Sequence, residues 1–328
     1  MNFHDLEKIE KYDFYLDLAF SRAKKSFAET RQKAIKVKDG LKRIKQAEYA
    51  RLDTIKDALV PRLDKILMVY PELDSLAPFY NELVKATLDY AKLKKSLGAI
   101  KWCNEKIREF HRQYLSKIAK ARDVNAVKLL SKQYYGRISS LFKQIKGAFA
   151  YLELSRKVMK EYPSLKSGVF TVCISGFPNV GKSTLLAKLT GASPEIGNYA
   201  FTTKSLNLGY IKGDYNKVQV IDTPGSLNRY EKLNSIEKQA YLAVKHLADV
   251  VVYVFDPTEE YPMHDQKQLL KKLREFEKPV ILYLSKTDIS EKEAVELIIK
   301  GYKEKLFTSS DEVKNALLKL SLEPKKNN

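Results

Sequence analysis

The stretch Val169-Phe170-Thr171-Val172-Cys173-Ile174-Ser175-Gly176-Phe177-Pro178-Asn179-Val180-Gly181-Lys182-Ser183-Thr184 decides how the second half of the chain folds. Its first six residues are a short β-branched and apolar run, the pattern of a buried strand. Gly176 to Ser183 then fits G-x-x-x-x-G-K-[ST], and a helix-like segment, Lys182–Thr190, follows. Glycines at both ends of such a loop let backbone N–H groups curl around phosphate oxygens, and the helix N-terminus adds its dipole. Lys182 is then expected to reach the terminal phosphates, and the Ser183 hydroxyl to hold Mg²⁺. Asn179, Val180, Gly181, Lys182, Ser183 and Thr184 form the expected phosphate-binding set.

Working outward, strand-like and helix-like runs alternate. Strands are expected at Ser205–Ile211, Val218–Ile221, Val250–Phe255, Val280–Leu284 and, more weakly, Lys305–Thr308. Helices are expected at Lys182–Thr190, Leu233–Leu247, Asp265–Phe276, Glu291–Tyr302 and Asp311–Leu320. This alternation predicts an α/β domain over 165–323, with a mostly parallel six-stranded sheet and helices on both faces. Residues 324–328 read as a loose tail.

Further motifs fall at strand ends. Asp222-Thr223-Pro224-Gly225 directly follows the Val218–Ile221 strand. A carboxylate there can hold Mg²⁺ through water, and Gly225 can donate its N–H to a γ-phosphate. An isolated Asp-x-x-Gly is a common turn, so its distance from the first loop carries the reading. Between the two lies Asn198-Tyr199-Ala200-Phe201-Thr202-Thr203-Lys204, where a threonine can close over Mg²⁺ and release it after hydrolysis. Thr203 is preferred to its neighbour Thr202. After another strand comes Leu284-Ser285-Lys286-Thr287-Asp288. Asp288 can accept hydrogen bonds from N1–H and the exocyclic amine of guanine, a pattern adenine lacks. The Lys286 stem can lie along the base. Ser309 and Ser310 either cradle the base or cap the helix that starts near Asp311. Metal ligation is assigned to Ser183, Thr203 and Asp222, and action on the transferred phosphoryl group to Lys182, Thr203 and Gly225.

Residues 1–164 read as helix almost throughout and predict an antiparallel bundle, so that the whole is an α+α/β two-domain chain. The long segment Leu41–Met68 has apolar residues at helical spacing, and Pro61 is expected to kink or end it. A second segment runs from Ser75 to Arg122, softened at Gly98, and a third from Val124 to Glu161.

The 328 residues are 44% hydrophobic and 30% charged, with a formal net charge of +19. About 36 Lys and Arg against about 20 Asp and Glu lie in residues 1–166, so the first half carries nearly all of the excess. A solvated lysine face accounts for any single lysine among Lys33, Lys36, Lys38, Lys42, Arg43 and Lys45. The whole excess points to a polyanion, with Trp102 and the tyrosines available for base stacking. A basic face on anionic lipid is the rival, but neither a lipidation motif nor a strongly apolar amphipathic anchor accompanies it. No run approaches the 18 apolar residues of a membrane span, and the N-terminus lacks a signal-peptide pattern. Two cysteines, Cys103 and Cys173, and four scattered histidines suggest neither a disulfide framework nor a metal cage, and a cytoplasmic location is expected.

Together these motifs resemble the translation-factor class of P-loop GTPases. Residues 168–288 resemble the Obg-related group, and most specifically the Nog family. The narrower likeness rests on Tyr199–Leu206 and on Asn234-Ser235-Ile236-Glu237-Lys238-Gln239-Ala240, and Asp256-Pro257-Thr258-Glu259 is further resembling text. The basic helical half resembles that family by its architecture, whereas Obg itself carries a glycine-rich N-terminal domain that this sequence lacks. The resemblance implies a GTPase, using GTP/GDP and Mg²⁺ with K⁺ as a further candidate, that binds the large-subunit pre-ribosome, both rRNA and protein. A monomer off the ribosome and no membrane partner are expected. In related cation-dependent GTPases an Asn at the place of Asn179 helps bind K⁺, which adds Asn179 to the residues expected to serve catalysis. Three departures stand out. Ser285 replaces the usual Asn of Asn-Lys-x-Asp, which braces the phosphate loop, so weaker nucleotide binding is expected. Ser226 follows Gly225, where relatives tend to be apolar. The C-terminal extension of eukaryotic relatives is not seen. No Gln follows Gly225 to guide a water, so slow intrinsic hydrolysis is expected. The rival reading is an RNA-binding assembly placeholder in which nucleotide is mainly structural.

Overall fold

The computed structural model describes residues 3–36, 38–166, 168–191, 207–213, 216–223, 235–258 and 260–323. Thr202, Thr203, Gly225, Ser226, Asn234, Glu259 and the tail 324–328 lie outside them. Two compact units divide the chain: residues 2–75 with 88–162, and residues 76–87 with 163–328. Leu76–Thr87, read from sequence as part of the helical half, thus cluster with the nucleotide-binding half.

The helical unit is built from α1 (Tyr12–Lys33), α2 (Gly40–Val69), α4 (Tyr90–Lys120), α5 (Val124–Gln144) and α6 (Lys146–Lys160). Side-chain contacts set α2 antiparallel to α4. Asp64 accepts from Asn104 and, at 2.8 Å, from Arg108; Asp53 meets His111 at 2.7 Å; and Lys45 Nζ donates to the Ala119 carbonyl at 2.8 Å. As one number falls the other rises. Leu52, Ile55, Leu59 and Leu63 of α2 are fully buried, as are Ile100 and Ile107 of α4 and Tyr134, Ile138 and Phe142 of α5. One buried carboxylate, Glu48, accepts from Arg51 at 3.0 Å and from Ser131 at 2.7 Å, so its charge is paired and hydrogen-bonded.

Helix boundaries depart from the expected segments at three places. Pro61 neither ends nor interrupts α2 as an element, which runs through it for 30 residues. The carbonyl that its missing N–H leaves free belongs to Asp57, and both residues face solvent while the apolar stripe continues on the other side. The break in the second segment lies at Leu88–Asp89, not at Gly98, which sits inside α4. Asp89 caps the new helix by accepting from Lys92 N. The third segment divides at Ile145 into α5 and α6.

The second unit holds α3 (Pro78–Thr87) and a six-stranded sheet in the order β2-β3-β1-β4-β5-β6. The strands are β1 (Phe170–Ser175), β2 (Asn207–Lys212), β3 (Lys217–Asp222), β4 (Val250–Phe255), β5 (Val280–Leu284) and β6 (Leu306–Phe307). Only β2 runs antiparallel to its neighbour. Its helices are α7 (Lys182–Thr190), α8 (Ser235–His246), α9 (Met263–Arg274), α10 (Lys292–Lys300) and α11 (Ser310–Leu320). The strands alternate faces. Val172, Ile174, Val220, Val252 and Val254 point into a core closed by Leu185, Leu186 and Leu189 of α7 and Val313 and Leu317 of α11. On the opposite face the Tyr253 hydroxyl donates to the Gln266 carbonyl of α9 at 2.6 Å. Helices therefore cover both faces. α3 is held to this unit by Tyr80, whose hydroxyl donates to the Pro163 carbonyl at 2.8 Å and accepts from Leu165 N at 3.1 Å. Glu82 of α3 receives Lys245 Nζ of α8 at 3.1 Å and lies 2.9 Å from His246 Nε2.

Candidate functional site: a phosphate loop, a carboxylate and a base loop

The site forms where β1, β3, β4 and β5 end, the carboxyl edge at which open parallel sheets bind ligands. β1 and β3 pair in register, Ile174 opposite Asp222, so the phosphate loop and the Asp-x-x-Gly motif leave the sheet side by side. Thr223 locks this junction: its N–H and its hydroxyl both donate to the Ile174 carbonyl, at 3.0 and 2.8 Å. The Ser175 and Thr223 hydroxyls sit 3.1 Å apart.

Gly176, Asn179 and Gly181 have φ of +155°, +59° and +89°. A Cβ on Gly176 would stand 2.7 Å from the Val254 carbonyl oxygen of β4, so glycine is required there by close approach of backbone. Asn179 is one of the residue types that tolerates the left-handed region. Gly181 is the N-cap of α7, which begins at Lys182.

Lys182 is buried, and its Nζ donates to the Phe177 carbonyl at 2.5 Å, across the loop. Burial holds its ammonium below the usual lysine value, and the charge of Asp222 opposes that only in part. The Ser183 hydroxyl donates to Asp222 Oδ2 at 2.6 Å, and Asn207 Nδ2 donates to the same oxygen at 3.2 Å. Asp222 Oδ1 is buried and accepts nothing from the described residues. A buried carboxylate oxygen without a partner costs about 1–3 kcal/mol or more for a charged group, and a hydrated cation held by Ser183 and Asp222 would satisfy it. The donor set of hydroxyl and carboxylate oxygens is that of a hard cation such as Mg²⁺. The residues present therefore fit a magnesium–nucleotide complex: phosphates at the Gly176–Ser183 loop with Lys182, and the metal at Ser183 and Asp222.

The base loop follows β5. Ser285 is buried, and its hydroxyl donates to the Phe255 carbonyl at 2.9 Å. It also packs on the phosphate loop, its Cβ 3.4 Å from where a Cβ on Gly181 would be. Lys286, at φ +51°, pairs with Asp256 Oδ2 at 2.6 Å. Asp256 is fully buried at the end of β4 and also accepts from Thr258 N at 2.9 Å and Thr258 Oγ1 at 2.7 Å. Burial pushes its carboxyl up, but the hydrogen bonds from Lys286 and Thr258 outweigh that and hold it below the usual carboxylate range. Lys286 is raised, first by Asp256 and then by Glu260. Asp288 is exposed at the mouth of this loop. Ser309 caps α11, its Oγ accepting from Asp311 N at 3.3 Å, and Ser310 is the first residue of that helix.

The structure thus brings Asn179, Val180, Gly181, Lys182, Ser183, Thr184, Asp222, Ser285 and Lys286 to one edge of the sheet. The expected contributions of Thr203 and Gly225 lie outside the described residues. Asp256, Asn207 and Glu260 were not anticipated as site residues. Asp256-Pro257-Thr258 directly after an apolar strand was a legible signal, since Asx-type turns at strand ends fix a carboxylate. Nothing in the sequence around Asn207 or Glu260 distinguishes them from surface polar residues.

A buried lysine and a glycine-bounded loop opposite a half-satisfied carboxylate, beside a base loop carrying an exposed aspartate, define a P-loop GTPase. Two family models divide the chain: "NOG1 N-terminal helical domain" matches residues 3–165, and "50S ribosome-binding GTPase" matches residues 171–286. An uncharacterised protein of Methanocaldococcus jannaschii is 38% identical over 84% of this chain and 78% of its own length. Nucleolar GTP-binding protein 1 of Caenorhabditis elegans is 34% identical over 74% of this chain, which spans 37% of that protein's length. Among solved structures, the G domain of the Thermotoga maritima FeoB iron transporter is 28% identical, covering 46% of this chain and 98% of that one at a TM-score of 0.37. The chain belongs to the Nog family of GTPases, with the NOG1-type helical domain ahead of the nucleotide-binding domain.

Proposed function

We propose that this chain is a GTP-hydrolysing assembly factor of the large ribosomal subunit that binds ribosomal RNA through its helical unit. The observation that carries the reading is the pairing, in one chain, of a phosphate-loop domain matching "50S ribosome-binding GTPase" with a helical domain holding nearly all of the +19 charge. Within the helical unit one basic cluster lies at one end. α1 finishes and α2 begins there with Lys33, Lys38, Lys42, Arg43 and Lys45. α4 finishes there with Lys117 and Lys120, next to Arg122. Two acids of this end, Asp39 and Asp123, are occupied in accepting backbone N–H groups as N-caps of α2 and α5. Such an end suits a phosphate backbone.

Hydrolysis in this reading depends on alignment and charge neutralisation more than on covalent help. Lys182 offers the γ-phosphate a cation already stripped of water. Ser183 and Asp222 would hold Mg²⁺, which would supply charge neutralisation at the phosphates. Thr203 and Gly225 complete the γ-phosphate contacts, and Asn179 assists K⁺. Asp288 selects guanine, with Lys286 along the base. Ser285 and the lack of a Gln after Gly225 favour slow turnover off the particle. They also support a second reading, a placeholder in which nucleotide chiefly sets shape. No helix among the described residues is long and apolar enough to cross a membrane.

The test is GTP turnover by the purified protein in KCl, with and without large-subunit precursor particles. Turnover that rises on particles and vanishes in Lys182→Ala supports the assembly GTPase. Tight particle binding with no turnover in either case supports the placeholder. Failure to bind particles, or binding indifferent to salt, refutes the RNA assignment.

A further inference from the structure

We infer that Glu260 is a positioning residue that ties the phosphate loop to the base loop, taking over the bracing role that Ser285 leaves vacant. The inference rests on the nucleotide-binding reading of the site.

The Ser285 hydroxyl is spent within the sheet, donating to the Phe255 carbonyl, and Ser285 N–H donates to the same oxygen at 2.9 Å. Against the phosphate loop Ser285 offers only van der Waals contact at Gly181. The polar link between the loops runs by another route. Glu260 Oε1 accepts from Asn179 Nδ2 at 3.1 Å, and Glu260 Oε2 lies 3.5 Å from Lys286 Nζ. Lys286 is in turn anchored at 2.6 Å on Asp256, which is fully buried. A continuous chain, Asn179–Glu260–Lys286–Asp256, thus joins the loop that takes phosphates to the loop that takes the base.

The two ends of this bridge share a backbone peculiarity. Three non-glycine residues have positive φ among those described: Asn179 at +59°, Glu277 at +56° and Lys286 at +51°. Two of the three are joined by one carboxylate. A lysine in the left-handed region is strained and persists only where its surroundings hold it. Asp256 and Glu260 supply that hold from two sides. Glu260 is 43% exposed, so its pair with Lys286 is weak by itself. Its effect lies in fixing two loops that must present phosphate and base contacts at once.

The experiment is stopped-flow release of fluorescent GDP from wild type, Glu260→Ala, Glu260→Gln, Asn179→Ala and the Glu260→Ala/Asn179→Ala double variant. Glu260→Ala is expected to speed release about two- to fivefold. Glu260→Gln keeps an acceptor for Asn179 but loses the charge facing Lys286, and is expected to fall between. The double variant is expected to release no faster than the faster single one, because both cut the same bridge. Release from Glu260→Ala at the wild-type rate, or single effects that multiply in the double, overturns the bridge while leaving the site intact. A wild-type protein that binds no guanine nucleotide overturns the reading of the site and the bridge with it. Should Glu260→Ala fold poorly, Glu260→Gln at the wild-type rate overturns the charged half of the bridge.

Discussion

Gly176→Ala isolates the contact that shapes the phosphate loop. The added methyl would meet the Val254 carbonyl oxygen at 2.7 Å and Val180 Cγ2 at 3.1 Å. The first of these is backbone in the middle of the sheet and cannot swing aside. Overpacking of this kind costs about 1–3 kcal/mol, and a positive φ at a residue with a Cβ adds about 1–2 kcal/mol. Gly191→Ala supplies the comparison, because Gly191 also has positive φ, +76°, but a Cβ there meets nothing within 4 Å among the described residues. The comparison thus sets the steric term apart from the general cost of a positive φ. For a unit of this size about 1 kcal/mol lowers the midpoint by about 2–4 °C. Gly176→Ala should unfold about 2–12 °C below Gly191→Ala. Thermal unfolding by circular dichroism, with and without GDP and Mg²⁺, reads both consequences. GDP should raise the midpoint of Gly191→Ala and do so much less for Gly176→Ala, whose loop must shift to admit the methyl. Equal midpoints in the two variants, or an equal GDP effect, would refute the argument that backbone approach at Val254 sets the loop.

Lys182→Ala should cut GTP turnover about 100-fold or more without destabilising the nucleotide-free protein, because the buried ammonium is held below its usual value; a large fall in the unfolding midpoint without nucleotide contradicts this. Asp256→Asn should flatten the acid limb of stability. The Asp256 carboxyl is held below 3.8, so its contribution is complete above 3.8 and lost as pH falls through the lowered folded value; the same acid profile in wild type and variant would count against the Lys286 pair. Ser285→Asn adds an amide facing the Gly181 turn and should slow GDP release about three- to tenfold; unchanged release would mean the loops are already fully braced.

Legibility from sequence tracked the range of the interaction. β1, β4 and β5 read as strands because β-branched runs buried on both faces carry an unmistakable pattern. The phosphate loop was legible because Gly176 and Gly181 serve backbone geometry and Lys182 and Ser183 serve chemistry, all within eight residues. Pro61 misled because a proline cost is local, while ten buried α2 side chains stabilise the helix as a whole. Gly98 lies inside α4, where its weak propensity is overridden, and the division of that segment comes instead at Asp89, which caps α4. Asn207 could not be found, because it reaches Asp222 only once β2 pairs antiparallel with β3 and sets the two opposite each other. Glu260 was hidden likewise, 81 residues from Asn179 in the chain.

The place of α3 has a consequence for how the chain is made. Glu82 and Lys245 are 163 residues apart, so α3 leaves the ribosome long before α8 exists. At about 5–20 residues per second, it waits roughly 8–30 s for the helix it packs on. During that interval α3, whose buried face includes Phe79, Leu83 and Val84, lacks its contact with α8. A nucleotide-binding fragment begun at residue 165 would meet the reverse problem for good, with α8 synthesised and α3 never present. Fragment solubility should therefore depend on a ten-residue helix that lies far upstream of every motif that binds nucleotide.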